Sequence, residues 1–134
     1  MVAKIYDPVY FGEAQYFDPF NFLDLFVSRE TQAYQHLKCL YGTKVPHFYG
    51  HFVAPLPAQC NRTVNIILLE YIHGRDIRDL VPAEKAEEAL CSTHKDMLIN
   101  AALRLYFDIY ALGVEQLDMQ PRNVILRPRR KDGP

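Results

Sequence analysis

The chain has 134 residues, 49% of them hydrophobic and 23% charged, enough for one core and too apolar for a disordered polymer. Its formal net charge of −1 supplies no bulk attraction to nucleic acid or to anionic membranes. No apolar run approaches a bilayer's thickness, the strongest being Ile-Ile-Leu-Leu at residues 66–69, and the opening residues show no apolar signal region.

Taken in chain order, residues 2–6 alternate Val2 and Lys4 against Ala3 and Ile5 and predict a short strand ending at Asp7-Pro8. The aromatic stretch 8–22 carries Pro8, Gly12 and Pro19 and reads as a long irregular connection. A helix is predicted from about Asp24 or Ser28 to Leu40, with Gly42 as its stop. Ala33, Tyr34, Leu37, Leu40 and Tyr41 form its apolar stripe, and Glu30 falls on the same stripe. A carboxylate on a buried face is costly unless a cation meets it.

Residues 45–55 and 64–72 read as two strands of an antiparallel hairpin, the second more buried and ended by His73-Gly74. The charged stretch 75–90 is partly helical in character. Thr93 with Asp96 resembles a capping box that opens a helix over residues 94–112, stopped by Gly113. Met97, Leu98, Ala101, Ala102, Leu105, Tyr106, Ile109 and Leu112 fill one face of that helix. Leu103, Phe107, Tyr110 and Ala111 carry apolarity round the rest. Such a helix belongs inside a larger structure or under a protein partner.

Three scattered cysteines, Cys39, Cys60 and Cys91, fit reduced thiols, so a cytoplasmic location is expected. His47 and His51 have a zinc-like spacing, but four positions along one strand separate them by about 13 Å, too far for one ion. The basic cluster Arg127, Arg129, Arg130 and Lys131 reads as a solvated turn, so no nucleic-acid partner is expected.

Four features stand in order: a strand lysine (Lys4), a helix glutamate on the buried stripe (Glu30), the apolar Leu-Leu-Glu-Tyr-Ile-His-Gly at 68–74, and Asp118 five residues before Asn123. With Ala-Leu-Gly-Val-Glu-Gln-Leu-Asp-Met-Gln-Pro-Arg-Asn-Val-Ile-Leu at 111–126, this order resembles the protein-kinase-like superfamily. It is most similar to the small fungal kinase-like proteins near the aminoglycoside and choline phosphotransferases. The resemblance covers residues 2–128 and implies an α+β fold. One partial kinase-like domain would span 1–134, with a small-lobe portion over about 1–72 and the start of the large lobe over about 73–134.

The resemblance also implies roles. Lys4 would neutralise the α- and β-phosphates of ATP and Glu30 would hold Lys4. Leu69 would back the adenine, Val2 would cover its face, and the Glu70 carbonyl and Ile72 amide would bond its edge. Asp76 would reach the ribose. Asp118 would orient the attacking hydroxyl, Arg122 would steady the transferring phosphoryl group, and Asn123 would give an amide oxygen to Mg²⁺. Pro121 would keep this loop out of a helix.

The sequence departs from the pattern in several places, including Val2-Ala3-Lys4 for Val-Ala-x-Lys and Gln120 where many relatives have Lys. Gln116-Leu117 stands where the family has His-Arg or His-Gly, no glycine-rich phosphate loop precedes Lys4, and no Asp-Phe-Gly segment follows Asn123. The expectation is therefore an ATP- and Mg²⁺-dependent phosphotransferase, truncated at both ends, acting on an unidentified hydroxyl acceptor. Removal of one electrostatic catalytic group costs on the order of 10²–10³ in rate, so this chain alone would be weakly active or inactive. The alternative is a non-catalytic pseudokinase-type fragment that binds a protein partner through helix 94–112.

Overall fold

The computed structural model describes residues 1–10, 18–80 and 92–127, with small antiparallel sheets and helices in an α+β arrangement. The chain divides into two units, Met1–Tyr71 and Ile72–Pro134.

In the first unit, alternating residues 2–6 form strand β1, Val2–Tyr6. Helix α1 follows at Pro19–His36, then strands β2, Phe48–Leu56, and β3, Arg62–Leu69. The sheet order is β1-β3-β2, with β3 central and antiparallel to both neighbours. Because directly opposed residues share a face, the register sorts the side chains into two sets. The rows Lys4–Ile67–His51 and Tyr6–Asn65–Val53 lie on one face, and Ile5–Ile66–Phe52 lies on the other.

Helix α1 covers the Lys4 face. Asn65 donates to Asp24 at 3.3 Å, and Tyr34 stacks on Phe48 with ring centroids 5.4 Å apart. Leu23, Val27, Leu37, Val45 and Val64 are buried in this unit, and Ile67 at the sheet centre is fully buried. Burial of one such side chain stabilises by about 2 kcal/mol. The opposite face keeps Ile5 and Phe52 exposed. Strand β2 carries a bulge between Phe48 and Gly50 that leaves Tyr49 without an opposed residue.

The second unit pairs strand β4, Arg75–Asp76, antiparallel with β5, Ile125–Leu126. Helix α2, Ile77–Leu80, continues from β4, and the Ile77 amide bonds the Val124 carbonyl at 3.2 Å. Gly74 passes so close to β5 that an added Cβ would stand 2.4 Å from the Leu126 carbonyl oxygen. The long helix α3 spans Ser92–Ala111. Gly113 ends it with φ at +77°, its amide bonded to the Tyr110 carbonyl and the Val114 amide to the Ile109 carbonyl. That pairing is a Schellman motif. Ile109 and Val124 are this unit's buried hydrophobic residues among those described.

Several predicted boundaries move. Helix α1 starts at Pro19, inside the stretch expected to be irregular, because a proline at the first helical position costs no hydrogen bond. It ends at His36, and Lys38–Leu40 continue as a 3-10 turn before Gly42. Strand β2 starts at Phe48 and β3 ends at Leu69, so each is trimmed at the end near Glu70. Helix α3 starts at Ser92, which puts Thr93 inside it and not at its cap. On α3, Met97 and Ala101 are exposed despite their place on the expected inner face. Cys91, Arg129, Arg130, Lys131 and most of 75–90 lie outside the described residues.

Candidate functional site

In the first unit, the strand alternation that aims Lys4 at the α1 face also aims Tyr6 there. Lys4 Nζ lies 2.6 Å from Glu30 Oε2. The Tyr6 hydroxyl donates to the same Oε2, and Lys4 Nζ stands 5.3 Å from the centre of the Tyr6 ring. Two groups therefore converge on one carboxylate oxygen. Glu30 is largely covered, at 23% exposed, whereas Lys4 is 50% exposed. Burial, the bond to Glu30 and its charge raise the Tyr6 hydroxyl well above the usual phenol range. Tyr34 on α1 is pushed up to about 12 by burial and by the Glu30 charge. Both phenols remain protonated near neutral pH.

Val2 is paired with Leu69 across the strands, two residues along from the Lys4–Ile67 row, so Val2, Lys4 and Leu69 share a face. Val2 is 40% exposed and Leu69 half-buried. The Glu70 amide bonds the His47 carbonyl at 2.8 Å, and its carboxylate accepts from the His47 amide at 3.0 Å. Glu70 thus extends the β2–β3 pairing with both backbone and side chain. His47 and His51 go to separate partners. The His47 ring packs against Tyr41 and Tyr49, and His51 Nε2 lies 2.8 Å from Asn65 Oδ1.

In the second unit, Asp76 and Ile72 are half-buried, and Asp76 Oδ2 takes a 2.6 Å ion pair from Arg78. Gln120 is extended, as a residue before proline should be, and Pro121–Asn123 form a single 3-10 turn. Pro121 therefore opens a short helical turn, a correction to the expectation that it would exclude one. A proline's fixed φ suits the first position, where its missing amide is not needed. The turn brings Asp118, Arg122 and Asn123 together. Asn123 Nδ2 donates to the Asp118 carbonyl at 2.9 Å and to its carboxylate at 3.0 Å, and Arg122 Nη2 donates to Oδ2 at 2.9 Å. Arg122 also donates to Gln120, and Gln116 Nε2 to the Asp118 carbonyl at 3.4 Å. Asp118 remains half exposed, so the loop fixes its carboxylate without removing it from water.

For Mg²⁺, the fit can be tested on this donor set. The Asn123 amide turns its nitrogen to Asp118, which leaves one oxygen as a ligand, and the adjacent Asp118 carboxylate already faces Arg122. Among the described residues no group of three or more His, Cys, Asp or Glu side chains could hold a metal ion. A hard octahedral cation needs more oxygens than this. These residues do not form a Mg²⁺ site of their own.

Two features escape a reading by motif. Tyr6 could have been found from strand alternation, since it stands two residues after Lys4. The other is a forked pair: Arg62 donates to both Asp7 carboxylate oxygens, one at 3.0 Å, and holds the carboxyl below its usual range. Its partners are 55 residues apart, and nothing local links them.

Among the described residues, no helix is long and apolar enough to cross a membrane. Comparisons with protein-family models, curated proteins and solved structures each found no match.

Proposed function

We propose that this chain carries nucleotide-binding and catalytic-loop elements of a kinase-like phosphotransferase that moves the γ-phosphoryl group of ATP to a hydroxyl acceptor. The observation that supports this reading best is the Lys4–Glu30 pair, 2.6 Å apart with the lysine side chain half exposed. A lysine oriented by a carboxylate yet open to solvent can give its charge to a polyphosphate. On the same face, Val2 and Leu69 offer apolar surface for a base.

In the second unit, Asp118 is the group to orient an acceptor hydroxyl, with its carboxylate direction fixed by Asn123. Arg122 is the cation to exchange Asp118 for a phosphoryl oxygen. An exposed ion pair of this kind is worth only about 0–1 kcal/mol, so breaking it is a small cost. Magnesium would supply charge neutralisation when bound, and the nucleotide's own phosphates would provide the ligands that the described residues do not.

The test is titration of the folded chain with Mg·ATP by calorimetry and thermal shift. Saturation in the micromolar-to-millimolar range is expected, with about 1.4 kcal/mol of stabilisation at ten times Kd. Lys4→Ala is expected to weaken binding by about tenfold or more, the worth of one charge-assisted bond. No response at millimolar nucleotide would reject the reading.

One observation favours a second reading, a non-catalytic interaction module. On α3, Ile99, Leu103, Phe107 and Tyr110 stand at helical spacing and are 58, 49, 62 and 58% exposed. Replacing Leu103 and Phe107 with Glu would abolish capture of a protein partner under this reading and leave Mg·ATP binding unchanged under the first.

A further inference from the structure

We propose that Tyr6 is a positioning residue for the Lys4 ammonium, acting through Glu30; this rests on the reading of Lys4 as the phosphate-binding cation. An exposed lysine–glutamate pair is a weak constraint, because two long side chains must be ordered to make one contact. Lys4 is half exposed, and Glu30 reaches it from another element. Something else must keep the carboxylate in place.

Tyr6 has the geometry for that task. It sits two residues from Lys4 on the same strand face, so its backbone is fixed by the same ladder to β3. Its hydroxyl donates to Glu30 Oε2, the oxygen that meets Lys4 Nζ. Its ring lies 5.3 Å from the ammonium, within range of a cation–π contact. A tyrosine has two soft torsions against four in lysine, so it supplies this order at lower entropic cost. A phenol is already protonated at physiological pH, and burial raises this one further, so the hydroxyl is a donor across that range. The result is one carboxylate oxygen held by two donors, with the lysine side chain half exposed.

A tyrosine that merely filled space would give the same burial with no effect on Lys4, and the two roles can be separated. Tyr6→Phe keeps the ring and removes the hydroxyl; Tyr6→Leu removes both. The first measurement is the rate of Lys4 acylation by an N-hydroxysuccinimide ester, followed by peptide mass spectrometry on the folded proteins. Tyr6→Phe is expected to raise that rate about 2–10-fold, the worth of one hydrogen bond, and Tyr6→Leu further. Glu30→Gln should raise it too, and Y6F/E30Q should show less than the product of the single effects.

The second measurement is the Mg·ATP dissociation constant, expected to rise by a similar factor in Tyr6→Phe. A Lys4 rate unchanged in folded Tyr6→Phe would overturn the proposal, as would effects that simply multiply in the double variant. If the wild-type chain binds no Mg·ATP, the nucleotide reading fails, and the acylation series still decides whether Tyr6 positions Lys4.

Discussion

Arg62 and Asp7 show what a single pair contributes here. The forked hydrogen bonds from Arg62 hold the Asp7 carboxyl below its ordinary value of 3.8. A carboxyl with a depressed native pKa binds fewer protons folded than unfolded, so its contribution is fully present above about pH 4. It is lost as the pH falls through the lower native value. The stability difference between wild type and Asp7→Asn should therefore be constant from pH 5 to 8 and shrink below pH 4, as read from urea melts across that range. At the centre of the sheet, Ile67 is 0% exposed. Ile67→Ala should cost about 2–5 kcal/mol in the same melts, transfer and cavity together.

Elements depend on two glycines for different reasons. Gly113 ends α3 in the left-handed region, and nothing lies within 4 Å of where a Cβ would stand. Gly113→Ala should therefore cost only the conformational strain, about 1 kcal/mol, with the helix intact by circular dichroism. Gly74 adopts no such conformation but passes against β5, where a Cβ would meet the Leu126 backbone at 2.4 Å. Backbone cannot step aside as a flexible side chain can, so Gly74→Ala should break the β4–β5 pairing. Hydrogen exchange would show it as lost protection at the Ile77 amide, which bonds Val124. The same logic explains the misplaced helix start. Asp18-Pro19 is a start signal in its own right, but a proline within an aromatic stretch also reads as a breaker, and only the folded context chooses.

The whole molecule combines a net charge of −1 and an isoelectric point near 6.5 with many exposed apolar side chains. Tyr10 is 81% exposed, Leu117 84% and Phe107 62%, and Ile5 and Phe52 are exposed on the sheet face opposite Lys4. With little charge repulsion, those surfaces should associate. Solubility should pass through a minimum near pH 6.5 and rise on either side, measured as turbidity against pH at fixed low salt. Salt should not deepen the minimum much, since the attraction is apolar.

The sequence alone determined the strand 2–6, the β2–β3 hairpin, the long helix before Gly113 and the paired placement of Lys4 with Val2. Each follows from a period of 2 or 3.6 residues or from a glycine's backbone freedom, and such signals are local. It also flagged Glu30, because a carboxylate on an apolar stripe demands a cation. The resemblance already named Lys4 as that cation; tertiary structure alone decided that Tyr6 is the further donor, since β1 and α1 come together only through the sheet. Likewise it joined Asp7 to Arg62, turned Arg122 onto Asp118, and left Met97 and Ala101 in solvent. Those outcomes depend on which faces meet, and contact between residues far apart in the chain leaves no periodic trace in the sequence.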